Sequence, residues 1–258
     1  MVALHAGANI ANDYFDHTSR NDWLNTNVTP FSGGSQLIQQ GLLSPRSVLV
    51  AAWVALSIAT VIGVVLFLLT KSFFILALGL VGLLGGYFYT ASPLRLGYRS
   101  AGESVIGLLF GVLPVYGAYY LQTRTIDLAP LVPGIIVAML IFLVILVNEF
   151  PDAQADRAVN KRTLVVVLGE KPAASIYRVV LGATFCMAAV AVFVSTTMRI
   201  AGLLYLATLP LALLVLKHLN RDVLQKSGGY TVNMLTIVMH LAGGAMLALG
   251  LLLTGLMK

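Results

Sequence analysis

A bundle of membrane-spanning helices, an all-α polytopic fold, is the class this sequence predicts, and three observations predict it. The 258-residue chain is 59% hydrophobic and only 10% charged, with a mean hydropathy of +0.91, whereas soluble domains run near a quarter charged. Apolar stretches of about 20 residues, the length that crosses a bilayer core as a helix, recur along most of the chain. Lipid cannot satisfy unpaired backbone groups, so an open-ended span must be helical. The same composition excludes a disordered, collagen-like or disulfide-framed chain. Cys186, the single cysteine, falls in an apolar run and implies neither a bridge nor a metal cluster.

In chain order the apolar segments are 48–70, 73–91, 104–121, 131–147, 173–196, 200–216 and 232–256, which makes seven complete spans in a single membrane domain over 1–258. Ahead of them, residues 1–11 are apolar but too short to span. They lack the basic flank and small-residue cleavage site of a secretory signal. They read as the last third of a transmembrane helix that begins outside this chain, with a short re-entrant helix as the alternative.

The formal net charge is +6, and its distribution orients the bundle. With strict alternation, the connections at 12–47, 91–103, 148–172 and 217–231 share one side. They hold eleven basic residues, Lys226 among them, against Lys71, Arg124, Arg199 and Lys258 on the other. That asymmetry places the first set in the cytoplasm by the positive-inside rule.

Of only ten acids, six fall in two short clusters, Asp13, Asp16 and Asp22, then Glu149, Asp152 and Asp156. Both occur where an apolar helix reaches the predicted cytoplasmic face. Asn12 and Asp16 are i,i+4 and share a helix face, while Asn148, Asp152 and Asp156 continue at the same step as one polar stripe. Ionisable groups near membrane depth are expensive and mark cavities or pathways. Carboxylates that repel one another call for a positive charge between them, and hard oxygen ligands select Mg²⁺ or Ca²⁺. Arg20 follows the first cluster, and Lys161 and Arg162 follow the second, in reach of a phosphate charge. Pro151 has no N–H and strips the Val147 carbonyl of its helical partner. It either breaks the helix, aiming the carboxylates into a cavity, or marks the helix end.

At these residues the chain resembles the UbiA superfamily of intramembrane aromatic prenyltransferases. The family's two motifs, N-D-x-x-D and N-x-x-x-D-x-x-x-D, read here Asn12-Asp13-Tyr14-Phe15-Asp16 and Asn148-Glu149-Phe150-Pro151-Asp152-Ala153-Gln154-Ala155-Asp156. Tyr89-Thr90-Ala91-Ser92-Pro93-Leu94-Arg95-Leu96, followed by Gly102-Glu103, is similar to the family's loop between its fourth and fifth helices. Lys161-Arg162-Thr163-Leu164 resembles the basic tail of the second motif. Thr29-Pro30-Phe31-Ser32-Gly33-Gly34-Ser35 looks most like the menaquinone-pathway branch, which prenylates 1,4-dihydroxy-2-naphthoate. Two departures stand out: no Arg-Pro pair follows the first motif, and Asn160 replaces the usual Gly before the basic pair. Asn tolerates the left-handed conformation that such a turn requires.

The resemblance implies a nine-helix fold, here lacking the first helix and part of the second, in the inner membrane with its active-site loops facing the cytoplasm. It implies transfer of a polyprenyl group from its diphosphate to an aromatic acceptor, by Mg²⁺-assisted ionisation and electrophilic substitution. On that reading Asp13, Asp16, Asp152 and Asp156 hold Mg²⁺. Arg20, Arg95, Lys161 and Arg162 meet the diphosphate. Asn12 and Asn148 supply a neutral oxygen or fix carboxylate rotamers. Tyr89, Tyr14 and Phe150 are the aromatic candidates for stabilising an allylic cation, or belt aromatics at the interface. Relatives with other acceptors (4-hydroxybenzoate, haem, chlorophyllide) and a cation-coupled transporter remain alternatives. The partners implied are the polyprenyl diphosphate, the acceptor and lipid, with no nucleic acid. Asn233 and His240 point into the bundle, His240 for an interhelical hydrogen bond or an acceptor contact. Glu103 either caps the next helix or serves the site.

Overall fold

The computed structural model describes residues 1–225 and 230–257; Lys226 and Lys258 of the charge comparison lie outside the described residues. The described residues are mostly helical, and among them the only β pairing is an isolated Thr29–Ser32 bridge. The helices are α1 (Val2–Thr18), α2 (Asn21–Leu24), α3 (Pro45–Thr70), α4 (Phe73–Tyr87), α5 (Gly102–Thr123), α6 (Leu131–Ala158), α7 (Leu164–Leu168), α8 (Glu170–Val194), α9 (Arg199–Leu206), α10 (Leu209–His218) and α11 (Thr231–Leu256).

Local chemistry sets the boundaries. Ser44 caps α3, accepting the Ser47 N–H at 3.1 Å ahead of Pro45 in the first turn. Lys71 ends it in the left-handed conformation (φ 52°), and Ser72 then caps α4 through the Ile75 N–H. Within α5, the turn Leu108–Val112 widens to π geometry where the α5 glycines ride on α6: a Cβ on Gly107 would stand 2.8 Å from the Ala138 carbonyl oxygen.

Among the described residues, five helices, α3, α5, α6, α8 and α11, are long and apolar enough to cross a membrane. A sixth span forms if α9 and the helix that follows it are counted together, with a 41° bend between them. The expectation of seven complete spans is therefore corrected. Pro210 clashes with the carbonyl of residue 206, which is where α9 stops. The fourth helix ends at Tyr87 rather than Ala91: residue 92 precedes Pro93, a position disfavouring helix, and the chain folds back with the Gly97 N–H on the Tyr89 carbonyl at 2.7 Å. Its 15 residues rise only about 22 Å, short of a bilayer core of about 30 Å.

The core gathers on α6. Ile136, Leu140, Leu143 and Leu146 are buried against Tyr177 and Leu181 of α8, Tyr205 of α9 and Met239 of α11. Buried hydroxyl pairs pin these helices, Tyr177 to Thr236 at 2.7 Å and Tyr205 to Thr184 at 2.6 Å. Pro151 neither breaks nor ends α6, which runs as one helix of 28 residues, about 42 Å. Its last turns thus outrun the hydrocarbon and carry acids to the bundle's end. The carbonyl that Pro151 orphans is answered from another helix: Asn233 Nδ2 of α11 donates to Val147 O at 3.1 Å and to Asn148 Oδ1 at 2.9 Å. Asn233 thus points into the bundle; the interhelical hydrogen bond is the one expected of His240. His240 differs, its Nδ1 being buried with no hydrogen-bond partner among the described residues.

Candidate active site

Three elements bring the acids together: the end of α1, the short α2 and the last turns of α6. On α1, Asn12 Nδ2 donates to Asp16 Oδ2 at 3.1 Å, one helical turn apart. Arg20 takes a left-handed conformation (φ 67°), closing α1 and swinging the chain into α2. Asn21 and Asp22 thereby turn back onto the same place, each 4% exposed. On α6 the Asn148–Asp152–Asp156 stripe holds, with Asp156 buried and Asp152 half-buried.

Lys161 stands between the two clusters. Asn160 adopts the left-handed turn (φ 57°), and Lys161 N–H then returns to the Asp156 carbonyl at 2.8 Å. The ammonium lies 3.0 Å from Asp16 Oδ2 and 3.6 Å from Asp156 Oδ1. Burial pulls the Lys161 pKa down, but the carboxylates of Asp16 and Asp156 outweigh it and raise it well above its ordinary value. The Tyr98 ring lies beside this ammonium, 5.6 Å from its centroid, within cation–π range. The Tyr98 hydroxyl donates to Asp16 Oδ1 at 3.1 Å and meets Ser19 Oγ at 2.8 Å. Burial, then the Asp16 charge, push its pKa up to about 12.

Each of four carboxylates also receives one carboxamide. Beside the Asn12–Asp16 pair, Gln39 Nε2 donates to Asp22 Oδ2 at 3.2 Å, Asn25 Nδ2 to Asp152 Oδ1 at 2.7 Å, and Asn21 Nδ2 to Asp156 Oδ1 at 2.9 Å. The loop after α2 supplies two of these amides and presses closely on the acids. Gly34 has φ 71°, and a Cβ there would stand 2.8 Å from Asp22 Oδ2, so glycine alone admits both the conformation and the approach. Burial, with Asp16 nearby, pushes the Asp22 carboxyl up to about 8 against the pull of Lys161 and Gln39.

Other expected residues stand apart from this cluster. Asp13 Oδ1 accepts the Ser35 N–H at 3.2 Å and is drawn toward the loop. Arg20, Arg95 and Arg162 are exposed; the Arg95 guanidinium stacks over the Tyr98 ring at 5.3 Å. Asn148 pairs with Asn233. Half-buried Tyr89 is wedged against Gly97 and Gly102, whose Cβ atoms would meet its ring and hydroxyl, and burial raises its pKa. Phe150 lines a cavity of about 220 Å³ with Thr29, Pro151 and Tyr230. Tyr14 packs edge-on to Phe15. Glu103 does cap a helix, though not its own: its Oε1 accepts the Leu164 N–H of α7 at 2.8 Å. Sequence reasoning missed Tyr98, Asn21 and Asn25, and gave Asp22 no role. Only Asp22 carried a signal, as third acid of its cluster.

Among the described residues no group of three or more His, Cys, Asp and Glu side chains is placed to cage a metal. The donor set is nonetheless hard oxygen throughout, and Mg²⁺ typically takes only one or two carboxylates and completes its shell with water and substrate phosphate. A buried carboxyl as reluctant to ionise as Asp22 is one that a neighbouring cation relieves.

Residues 1–229 match the UbiA prenyltransferase family. The chain belongs to that family. Among its relatives, the 1,4-dihydroxy-2-naphthoate octaprenyltransferase of Mycobacterium leprae is 35% identical over 82% of this chain and 68% of the relative. The protein of the same name from Mycobacterium tuberculosis is 33% identical over 69% of this chain and 58% of the relative. The 2-carboxy-1,4-naphthoquinone phytyltransferase of Synechocystis is 25% identical over 96% of this chain and 78% of the relative. The chain thus spans between 58% and 68% of the two mycobacterial relatives. No solved structure matches it. UbiA-family membership and the apolar helices together make this an integral membrane protein.

Proposed function

We propose that this UbiA-family protein transfers a polyprenyl group from its diphosphate to 1,4-dihydroxy-2-naphthoate, with the acid-bearing end of the bundle in the cytoplasm. The observation that carries the reading is the Lys161 ammonium lodged between Asp16 and Asp156, where two distant acidic motifs meet at the mouth of an apolar bundle. The names of the relatives support the acceptor, and the positive-inside asymmetry supports the orientation.

The residues divide the task. One or two of Asp16, Asp152 and Asp156 would hold each Mg²⁺, with water and diphosphate oxygens completing its shell, and the ion would supply charge neutralisation to a departing diphosphate. Lys161 is already desolvated beside those carboxylates and is positioned to take a diphosphate oxygen as partner. Arg162, Arg95 and Arg20 are exposed at the same end and add positive charge around it. The allylic C–O bond breaks with its electron pair leaving on the diphosphate. The ring carbon then attacks the allylic cation and loses a proton, or carbon dioxide where the carboxylated carbon is attacked. Asn21, Asn25 and Gln39 hold the carboxylate rotamers through the hydrogen bonds described, so little reorganisation is left for the reaction itself. The apolar bundle keeps water from the cation.

The purified full-length protein, given a polyprenyl diphosphate, Mg²⁺ and 1,4-dihydroxy-2-naphthoate, is expected to release diphosphate and form the prenylated ring product. Product only with 4-hydroxybenzoate or another aromatic acceptor would reassign the substrate. Cation-coupled uptake into liposomes without covalent product would overturn the enzymatic reading.

A further inference from the structure

Lys161 is useful only where its ammonium lies, and the backbone around it is tied at three points. Behind it, its own N–H is bound to the Asp156 carbonyl at 2.8 Å; beside it, the Arg162 N–H is bound to the Tyr98 carbonyl at 3.1 Å. The third tie is made by two glutamates from different spans. Glu103, in the first turn of α5, accepts the Leu164 N–H at 2.8 Å, and Glu149 of α6 accepts the Val165 N–H at 3.4 Å. These N–H groups open α7, three and four residues beyond Lys161, and have no partner within so short a helix. Glu103 and Glu149 are 1% and 7% exposed, and lie close enough to interact electrostatically. Glu103 Oε2 has no hydrogen-bond partner among the described residues. Two neighbouring carboxyls in an apolar interior are a costly arrangement, and nothing in the diphosphate chemistry above uses them.

We propose that Glu103 and Glu149 are positioning residues: paired acceptors that hold the start of α7 so that Lys161 is delivered between Asp16 and Asp156. The geometric claim stands on the contacts alone; its consequence for turnover rests on the proposed prenyl transfer. Tyr89, wedged against Gly97 and Gly102, sets the approach of α5 that brings Glu103 there. On this account Glu103 works as a hydrogen-bond acceptor, so its charge is dispensable and its Oε1 is not.

The test reads Lys161 directly and needs no substrate. In the detergent-solubilised full chain, an amine-reactive reagent labels lysines, and mass spectrometry gives the Lys161 rate relative to exposed Lys171. The Lys161 side chain is only 15% exposed, so the starting ratio is low. Glu103→Ala is expected to raise it about tenfold, the scale of losing a buried capping acceptor, and Glu103→Gln to leave it within about twofold, because the carboxamide keeps the acceptor. Leu164→Pro deletes the N–H, at the cost of part of a side chain packed against the core, and leaves the backbone otherwise compatible: Thr163 is extended (φ −66°, ψ 167°), as a residue before proline requires, and proline suits a first helical position. It should expose Lys161 as Glu103→Ala does, and serves if the alanine variant does not fold. An unchanged ratio in Leu164→Pro, or equal exposure in Glu103→Gln and Glu103→Ala, would overturn the proposal. A parent chain inactive in prenyl transfer moves none of these ratios, so the two readings fail separately.

Discussion

The two acidic motifs reach the same ammonium by opposite constructions. The second lies on one uninterrupted helix, its stripe set by helical periodicity, and the single defect that Pro151 introduces is answered by Asn233 on the last span. The first is split. Asp16 ends a helix, Asp22 lies past a left-handed turn, and Asp13 is held away by the Ser35 N–H. Its geometry is maintained by a loop that contacts α6 through Asn25 and, at 3.4 Å, Asn27. The contrast suggests a division between a rigid half-site and an assembled one. The carboxylates of the second motif are aligned by one helix and then held by amides from the first half-site, Asn25 on Asp152 and Asn21 on Asp156. Asp22 depends for its place on the turn at Arg20, the Gln39 amide and the close approach of Gly34.

The contrast can be broken most forcefully at its centre. Lys161→Met should lower diphosphate release by about 10²–10³-fold, the scale of losing a preorganised charge partner, and cost about 3 kcal/mol of stability by leaving carboxylates unpaired. Asp156→Ala and Asp16→Ala are each expected to match that loss of turnover, whereas Asp13→Ala should cost less than about tenfold. Equal losses at Asp13 and Asp16, measured as initial rates, would mean that the first motif does not divide in this way. Asn233→Ala should destabilise the chain by about 1–2 kcal/mol by orphaning the Val147 carbonyl. Pro151→Ala in that background should recover part of the loss by restoring the helical N–H, read as non-additivity in thermal unfolding.

The gentlest effect is a pH slope in Mg²⁺-free buffer. Asp22 moves from 3.8 in the unfolded chain to about 8 when folded. Below pH 3.8 both states hold the proton, and between 3.8 and about 8 only the folded state does. Stability therefore falls as pH rises through that window and levels off above it. Asp22→Asn should flatten the fall in melting temperature; an unaltered slope would place the burden on another group.

Periodicity made the second half-site legible: the spacing of Asn148, Asp152 and Asp156 puts them on one helix face whatever surrounds them. Asn160 was legible as well, because its turn is a local backbone matter. The amide partners were not, since Asn21 meets Asp156 across 135 residues of sequence and nothing near either residue signals the meeting. Tyr98 was hidden for the same reason, lying in a loop whose fold-back decides where its ring goes. Pro151 left two readings open because the group that answers the orphaned Val147 carbonyl, Asn233, comes 86 residues after Val147. The overcount of spans came from Pro93 and Pro210, where hydropathy continues and the helix does not.

The pairing of Lys161 with Asp16 spans 145 residues, which has a consequence for biogenesis. During synthesis the first carboxylates leave the ribosome long before the only ammonium that contacts Asp16 among the described residues. Until then, Asp16 has only water and the neutral donors made before Lys161, Asn12 and later Tyr98, to answer its charge. A nascent chain interrupted before that point holds Asp16 without the cation that meets it in the finished fold.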